Sequence, residues 1–414
     1  MQQPSLVRAT GLVGAMLLGL GSILGTGAYV SVGIGAEIAN TWVVLAICVA
    51  ALTALFNGMS SAQLAAVHPV SGGTYEYGYR FLTPAAGVAA GSLFVIAKSA
   101  SAAAAAMAVG TYFGSLFALP SWGTQVIALA LIFVFTLLVL GGVKRTSMAN
   151  AVLVLLSIAG LLIFVWMSLL ADSPQATQSK ISFEFDHFFQ AAALLFVAFT
   201  GYGRIATMGE EITEPRKNIP RAIFLTLLVV SLIYIAVGYA LMQYPLTGVG
   251  SAVGFSLSML MPTGWAQWAV ALGAIIAMCG VLLNLILGVS RVVLAMGRRE
   301  DLPVHFAGLN ASQTSAPAAT WLTAAVMAAV VIFGDLKSAW SLSAFTVLVY
   351  YGLTNLAALK VSSAERFIPQ WMSVLGLLSC FGLALFVPWQ SLLLGVVLIA
   401  FILLIHALRE KRRA

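Results

Sequence analysis

The chain has 414 residues, 61% of them hydrophobic and only 8% charged. Soluble domains carry about 25% charged residues, so most of this surface must face lipid. A net charge of +7 raises nucleic acid as a partner, but the basic residues form no stripe or tail that could follow phosphates, and that class is excluded.

A helix needs roughly 20 apolar residues to cross ~30 Å of hydrocarbon. Twelve segments meet that length: 11–37, 41–67, 85–118, 123–143, 149–171, 188–209, 220–243, 265–296, 318–334, 338–359, 371–387 and 389–408. The ninth is short and the last two part only near Pro388, so eleven crossings with one re-entrant segment is the alternative. The first stretch lacks a short core followed by a small-residue cleavage site and reads as a retained helix, not a signal peptide.

The basic residues orient these segments. With the N-terminus inside, one side holds Arg8, Arg80, Lys144, Arg145, Arg216, Lys217, Arg221, Arg291, Arg298, Arg299, Lys360, Arg366, Arg409, Lys411, Arg412 and Arg413. The other side holds Lys180 and Lys337, while Lys98 and Arg204 fall within the membrane. Cytoplasmic connections are enriched in Lys and Arg, so both termini are expected in the cytoplasm of a multi-pass inner or plasma membrane protein. Cys48, Cys279 and Cys380 are far apart and read as small buried hydrophobes.

Segment one contains "GLGSILGTGAYVSVGIG", with Gly19, Gly21, Gly25, Gly27, Gly33 and Gly35. A glycine costs about 1 kcal/mol against alanine in a helix interior. Taken alone, the stretch allows close packing through Gly21 and Gly25, or a helix unwound near Gly25-Thr26-Gly27. Segment six repeats the pattern in "AFTGYGRIA", with Gly201 and Gly203. The two segments each open a block of five and enter from opposite sides. Matching interruptions in inverted halves point to a transport site at the membrane midplane. The Gly201-x-Gly203-x-x-Ala206 match to a dinucleotide fingerprint carries no meaning outside a strand–helix unit.

In segment three, Lys98 lies 13 residues, or ~20 Å, past Ala85, too deep to snorkel to the surface. An ionisable residue at that depth reads as functional, the alternative being a structural polar pair. The run Ala102 to Ala106 either widens a cavity or permits tight packing. Asn284, Tyr350, Tyr351 and Asn355 read as polar contacts between helices. Arg204 sits six and seven residues before Glu210 and Glu211, ~9–10 Å along a helix, which suits a cytoplasmic gate pair. The competing reading turns Arg204 toward the cavity with Lys98, favouring an acidic amino acid or another carboxylate as cargo. The histidines at 68, 187, 305 and 406 are scattered, so neither a metal site nor an enzyme within the membrane is expected.

Three signatures resemble the amino acid–polyamine–organocation superfamily of transporters. "GSILGTGAYV" looks like its glycine-rich first helix, with Ala28-Tyr29 in place of the usual Ile-Phe. "HPVSGGTYEYGYRFL" resembles its P-x-S-G-G-x-Y-x-Y hallmark. "GEEITEPRKNIPRAI" is similar to its connection after helix six, with Thr213-Glu214-Pro215 where Asn-Pro is usual. "RREDLP" looks like its common R-D-G-x-L-P.

The resemblance implies an all-α integral membrane protein of the leucine-transporter type. Five helices over 11–171 would repeat inverted over 188–359, with 371–408 two peripheral helices, about twelve crossings, and unwound helices one and six. It implies an amino acid substrate, no cofactor and no catalytic residue. Ser22, Ile23, Gly25, Thr26 and Gly27 would cradle a carboxylate, and Phe199, Thr200, Gly201 and Tyr202 would offer carbonyls and a lid. Sodium-dependent relatives place hydroxyls in helix eight, where this chain has Ala277, Met278, Cys279 and Gly280; others use a lysine of helix five, where this chain offers Ser157. Sodium independence is therefore expected, with Lys98 as coupling group to a proton, or with exchange. Uniport and a transporter-fold sensor are the alternatives.

Overall fold

Lipid offers no hydrogen-bond partner to a backbone N–H or C=O, so a chain this apolar satisfies those groups inside helices. The structure, a computed structural model, describes residues 10–69, 72–141, 147–170, 183–206, 212–244, 256–310 and 315–413. The helices in chain order are α1 (Leu12–Ile23), α2 (Val32–Ala39), α3 (Val43–Val67), α4 (Thr74–Phe81), α5 (Pro84–Phe117), α6 (Ser121–Leu140), α7 (Ser147–Leu170) and α8 (Phe185–Phe199). They continue with α9 (Gly203–Ala206), α10 (Pro215–Leu241), α11 (Trp265–Arg298), α12 (Pro317–Phe333), α13 (Leu336–Leu359), α14 (Gln370–Ala384) and α15 (Trp389–Arg413). Among the described residues there is no strand, only an isolated bridge joining Thr10 to Ile212. Nine helical stretches among them are long and apolar enough to cross a membrane, and α1, α12 and α14 are shorter apolar helices.

Large apolar side chains such as Leu155, Trp166, Phe333 and Leu385 lie exposed on the outer faces, where only lipid could cover them. The interior is built from small residues. α5 runs through the middle against α11 and α13, and Ala102 to Ala106 are fully buried on it. That run serves tight packing. Cys48 departs from expectation, being exposed on α3 rather than buried, because its side of the helix faces outward. α10 starts five residues earlier than expected, since Pro215 can open a helix at its first position. α14 is held to α3 by polar contacts, Ser60 to Ser373 (2.9 Å) and Cys380 Sγ donating to Asn57 (3.2 Å). α15 is exposed along most of its length.

The hallmark stretch, read from sequence as a connection, forms the short helix α4. Gly72 (φ 124°) and Gly73 (φ 58°) turn the chain into it through backbone angles that other residues rarely adopt. Its Tyr75 and Tyr77 are buried while Arg80 is exposed. The hydroxyls of Tyr75 and Tyr79 both donate to the Asp301 carboxylate, at 2.6 and 2.7 Å. Arg299 pairs with Glu76 at 2.5 Å and lies 4.5 Å over the Tyr79 ring, and Arg409 of α15 donates to the Asp301 carbonyl. Burial first, and then the bond to Asp301, push both tyrosines above their usual range, so they remain protonated donors. Two signatures more than 200 residues apart thus form one clamp. Asp301→Ala leaves the hydroxyls of buried Tyr75 and half-buried Tyr79 without their acceptor, a loss of about 1–3 kcal/mol. The detergent-solubilised variant should melt about 2–4 °C lower, and an unchanged melting temperature would deny the clamp a stabilising role.

Candidate functional site

Both glycine-rich segments are interrupted. α1 stops at Ile23, Leu24 leaves helical geometry (φ −77°, ψ 60°), and the chain resumes as a π-helical turn over Gly27–Ser31 before α2. α8 stops at Phe199, passes through the 3-10 turn Thr200–Tyr202, and continues as α9. Close approach, not left-handed backbone, is what requires glycine here. A side chain at Gly201 would strike the Ser22 carbonyl and Ile23; at Gly27, the Tyr234 hydroxyl and Ala198; at Gly25, Val281 and the Ala277 carbonyl of α11. The two interruptions therefore touch each other, and α11 closes one side with aliphatic groups.

Side-chain hydroxyls donate to carbonyls at and beside the interruptions, and Ile23 O also accepts from Gly25 N–H at 2.9 Å. Ser157 Oγ donates to Leu24 O at 3.0 Å, and the Tyr29 hydroxyl donates to Ser157 O at 2.6 Å. The Tyr234 hydroxyl of α10 stands 3.1 Å from Ile23 O and 3.2 Å from Ala198 O, and the Tyr351 hydroxyl of α13 donates to Thr200 O at 3.1 Å. Thr26 Oγ1 is buried without a partner. Lys98 Nζ donates to Thr200 Oγ1 at 2.9 Å, and that hydroxyl donates to Val197 O at 2.7 Å. Lys98 thus meets the C-terminal end of α8, where the aligned peptide dipoles favour a cation.

The residues expected from sequence largely converge. Ile23, Gly25, Thr26, Gly27, Phe199, Thr200, Gly201 and Tyr202 line the two interruptions, with Lys98 beside them. Ser22 contributes its carbonyl, because its hydroxyl turns back to Leu18 O at 2.9 Å. Phe199 is fully buried, its ring edge-on to Tyr234 at 4.9 Å, so it does not face lipid. Arg204 is half-buried on α9, and Glu210 and Glu211 lie outside the described residues. Asn355 is what sequence suggested, a contact between helices, donating to Asn57 at 2.5 Å. Sequence reading passed over Tyr234 entirely, whereas Tyr351 is the polar contact between helices that the sequence suggested, its partner being the Thr200 carbonyl.

Chemically, the groups at the interruptions are carbonyls, hydroxyls and one ammonium. Carbonyls accept from a ligand's ammonium, while a hydroxyl and a lysine donate to a carboxylate. The set matches a zwitterion.

The sequence profile described as "Amino acid permease" matches residues 14–412. A protein of Mycobacterium tuberculosis described as an uncharacterized transporter is 35% identical over 94% of this chain and 88% of its own length. The branched-chain amino acid permease of Bacillus subtilis is 25% identical over 100% of this chain and 95% of its own length. The methylthioribose transporter of the same organism is 30% identical over 83% of this chain and 80% of its own length. With the profile spanning almost the whole sequence over two interrupted membrane helices, the chain belongs to the amino acid permease family of the amino acid–polyamine–organocation superfamily.

Proposed function

We infer that the chain is a secondary transporter that carries an amino acid across the membrane by alternating access, binding it between the interruptions after α1 and α8. The observation carrying this reading is the mutual contact of Gly201 with Ser22 and Ile23, beside the Ile23 and Ala198 carbonyls that converge on one hydroxyl. The ligand's ammonium meets those carbonyls, and its carboxylate meets Thr26 and the adjoining amides. Two inverted sets of five helices, twelve crossings and cytoplasmic termini complete the arrangement. The relative named as a branched-chain amino acid permease supports an amino acid cargo.

No sodium is needed. Ala277 and Val281 of α11 face Gly25, and a hard cation requires oxygen ligands. Replacing sodium with choline in a proteoliposome uptake assay should leave the initial rate nearly unchanged. A steep sodium dependence would reject this and demand an oxygen-lined site elsewhere.

Lys98 is the coupling group, its ammonium exchanged between Thr200 and solvent as the carrier turns over, so that transport follows a proton or proceeds by exchange. One observation favours a second reading of the cargo. The Lys98 ammonium at the substrate site suits a ligand with an extra carboxylate. If glutamate and aspartate do not compete with the transported amino acid, that second reading is dead.

A further inference from the structure

Tyr234 is the feature of the site that neither composition nor the family signatures explain. It projects from α10, is completely buried, and places one hydroxyl almost midway between Ile23 O after α1 and Ala198 O on α8. A phenolic hydroxyl has one proton and can satisfy one carbonyl at a time, whereas an ammonium has three. An ammonium nitrogen bonding both carbonyls at once competes for the space where the hydroxyl oxygen now sits. The molecule makes that space deliberately narrow, since a Cβ at Gly27 would overlap the same oxygen.

We propose that the Tyr234 hydroxyl holds the place of the substrate's amine in the empty carrier. It donates to the Ile23 or the Ala198 carbonyl, Ile23 O also accepting from Gly25 N–H at 2.9 Å, and it withdraws when the ammonium arrives. Losing that hydrogen bond destabilises the empty carrier by about 0.5–1.5 kcal/mol, while the loaded carrier, from which the hydroxyl has withdrawn, loses nothing. Tyr234 is therefore a positioning residue for the carbonyls and not a ligand of the substrate. This rests on the reading that an amino acid binds between the two interruptions.

The sign of one affinity change decides it. Purified wild type and Tyr234→Phe are titrated with each of the twenty standard L-amino acids, the phenylalanine retaining the ring and its contact with Phe199. For the amino acid that wild type binds best, the variant should bind about tenfold more tightly, the fold-change matching one lost carbonyl donor in the empty state. The same acid lacking its amine should gain nothing. In proteoliposomes the ratio of exchange to net uptake should rise, because only net uptake passes through the empty carrier on every cycle. Weaker binding by the variant would make the hydroxyl a substrate ligand and overturn the proposal. Unchanged binding would reduce Tyr234 to packing and overturn it equally. If no amino acid binds wild type, the transport reading fails before the variant is considered, and this inference falls with it.

Discussion

Gly25→Leu and Gly201→Leu should each abolish amino acid uptake while the protein still inserts into the membrane. At Gly25 even a Cβ overlaps Val281 and crowds the Ala277 carbonyl, and at Gly201 it overlaps the backbone of Ser22. Overpacking against movable side chains costs roughly 1–3 kcal/mol. Here one obstacle is backbone, so a leucine has to push the two interrupted helices apart. That separates the Ile23 and Ala198 carbonyls, which stand together at the Tyr234 hydroxyl. Gly382→Leu supplies the control, since nothing lies within 4 Å of a Cβ at that position. The control should transport normally with the same yield of membrane protein. Near-normal uptake by both Gly25→Leu and Gly201→Leu would remove the site from the interruptions.

Lys98→Ala should lower net uptake by about 10- to 100-fold, the range expected for losing a charge-assisted hydrogen bond of about 1.5–3 kcal/mol. The variant leaves Thr200 bonded to Val197 and so should leave the turn after α8 in place. A charge this deep is functional by default, and the structure gives it a definite partner at the site. The pH dependence of uptake separates coupling from simple support. If Lys98 carries the coupled proton, the remaining uptake in Lys98→Ala should lose its dependence on pH. Uptake that stays pH-dependent would transfer coupling to another group and leave Lys98 a structural contact to Thr200.

The site was legible in sequence to the extent that it is written in backbone. Gly25, Gly27 and Gly201 could be read because glycine is costly in a helix interior unless close packing or an interruption calls for it, and their paired positions pointed to the interruptions. Lys98 could be read because an ammonium at that depth is costly wherever it points. Tyr234 could not. A tyrosine in a buried helix is ordinary, and whether its hydroxyl reaches two carbonyls depends on how α10 rotates against α1 and α8. The same limit hid the pairing of Tyr75 and Tyr79 with Asp301, which brings two recognised signatures together only in three dimensions. α4 itself escaped because an eight-residue helix is too short to show an apolar period, and glycines mark its start as a turn. Ser157 was legible by position and took its meaning from geometry, as a neutral donor to the Leu24 carbonyl.

The central claim is that an amino acid is carried through the space between the two interruptions. Uptake of radiolabelled amino acids into proteoliposomes containing only the purified protein tests it most directly. The expected result is time-dependent, saturable accumulation of at least one amino acid, independent of sodium and absent with Gly201→Leu. Protein-free liposomes matching the wild-type rate for all twenty, or equal uptake by wild type and Gly201→Leu, would contradict it.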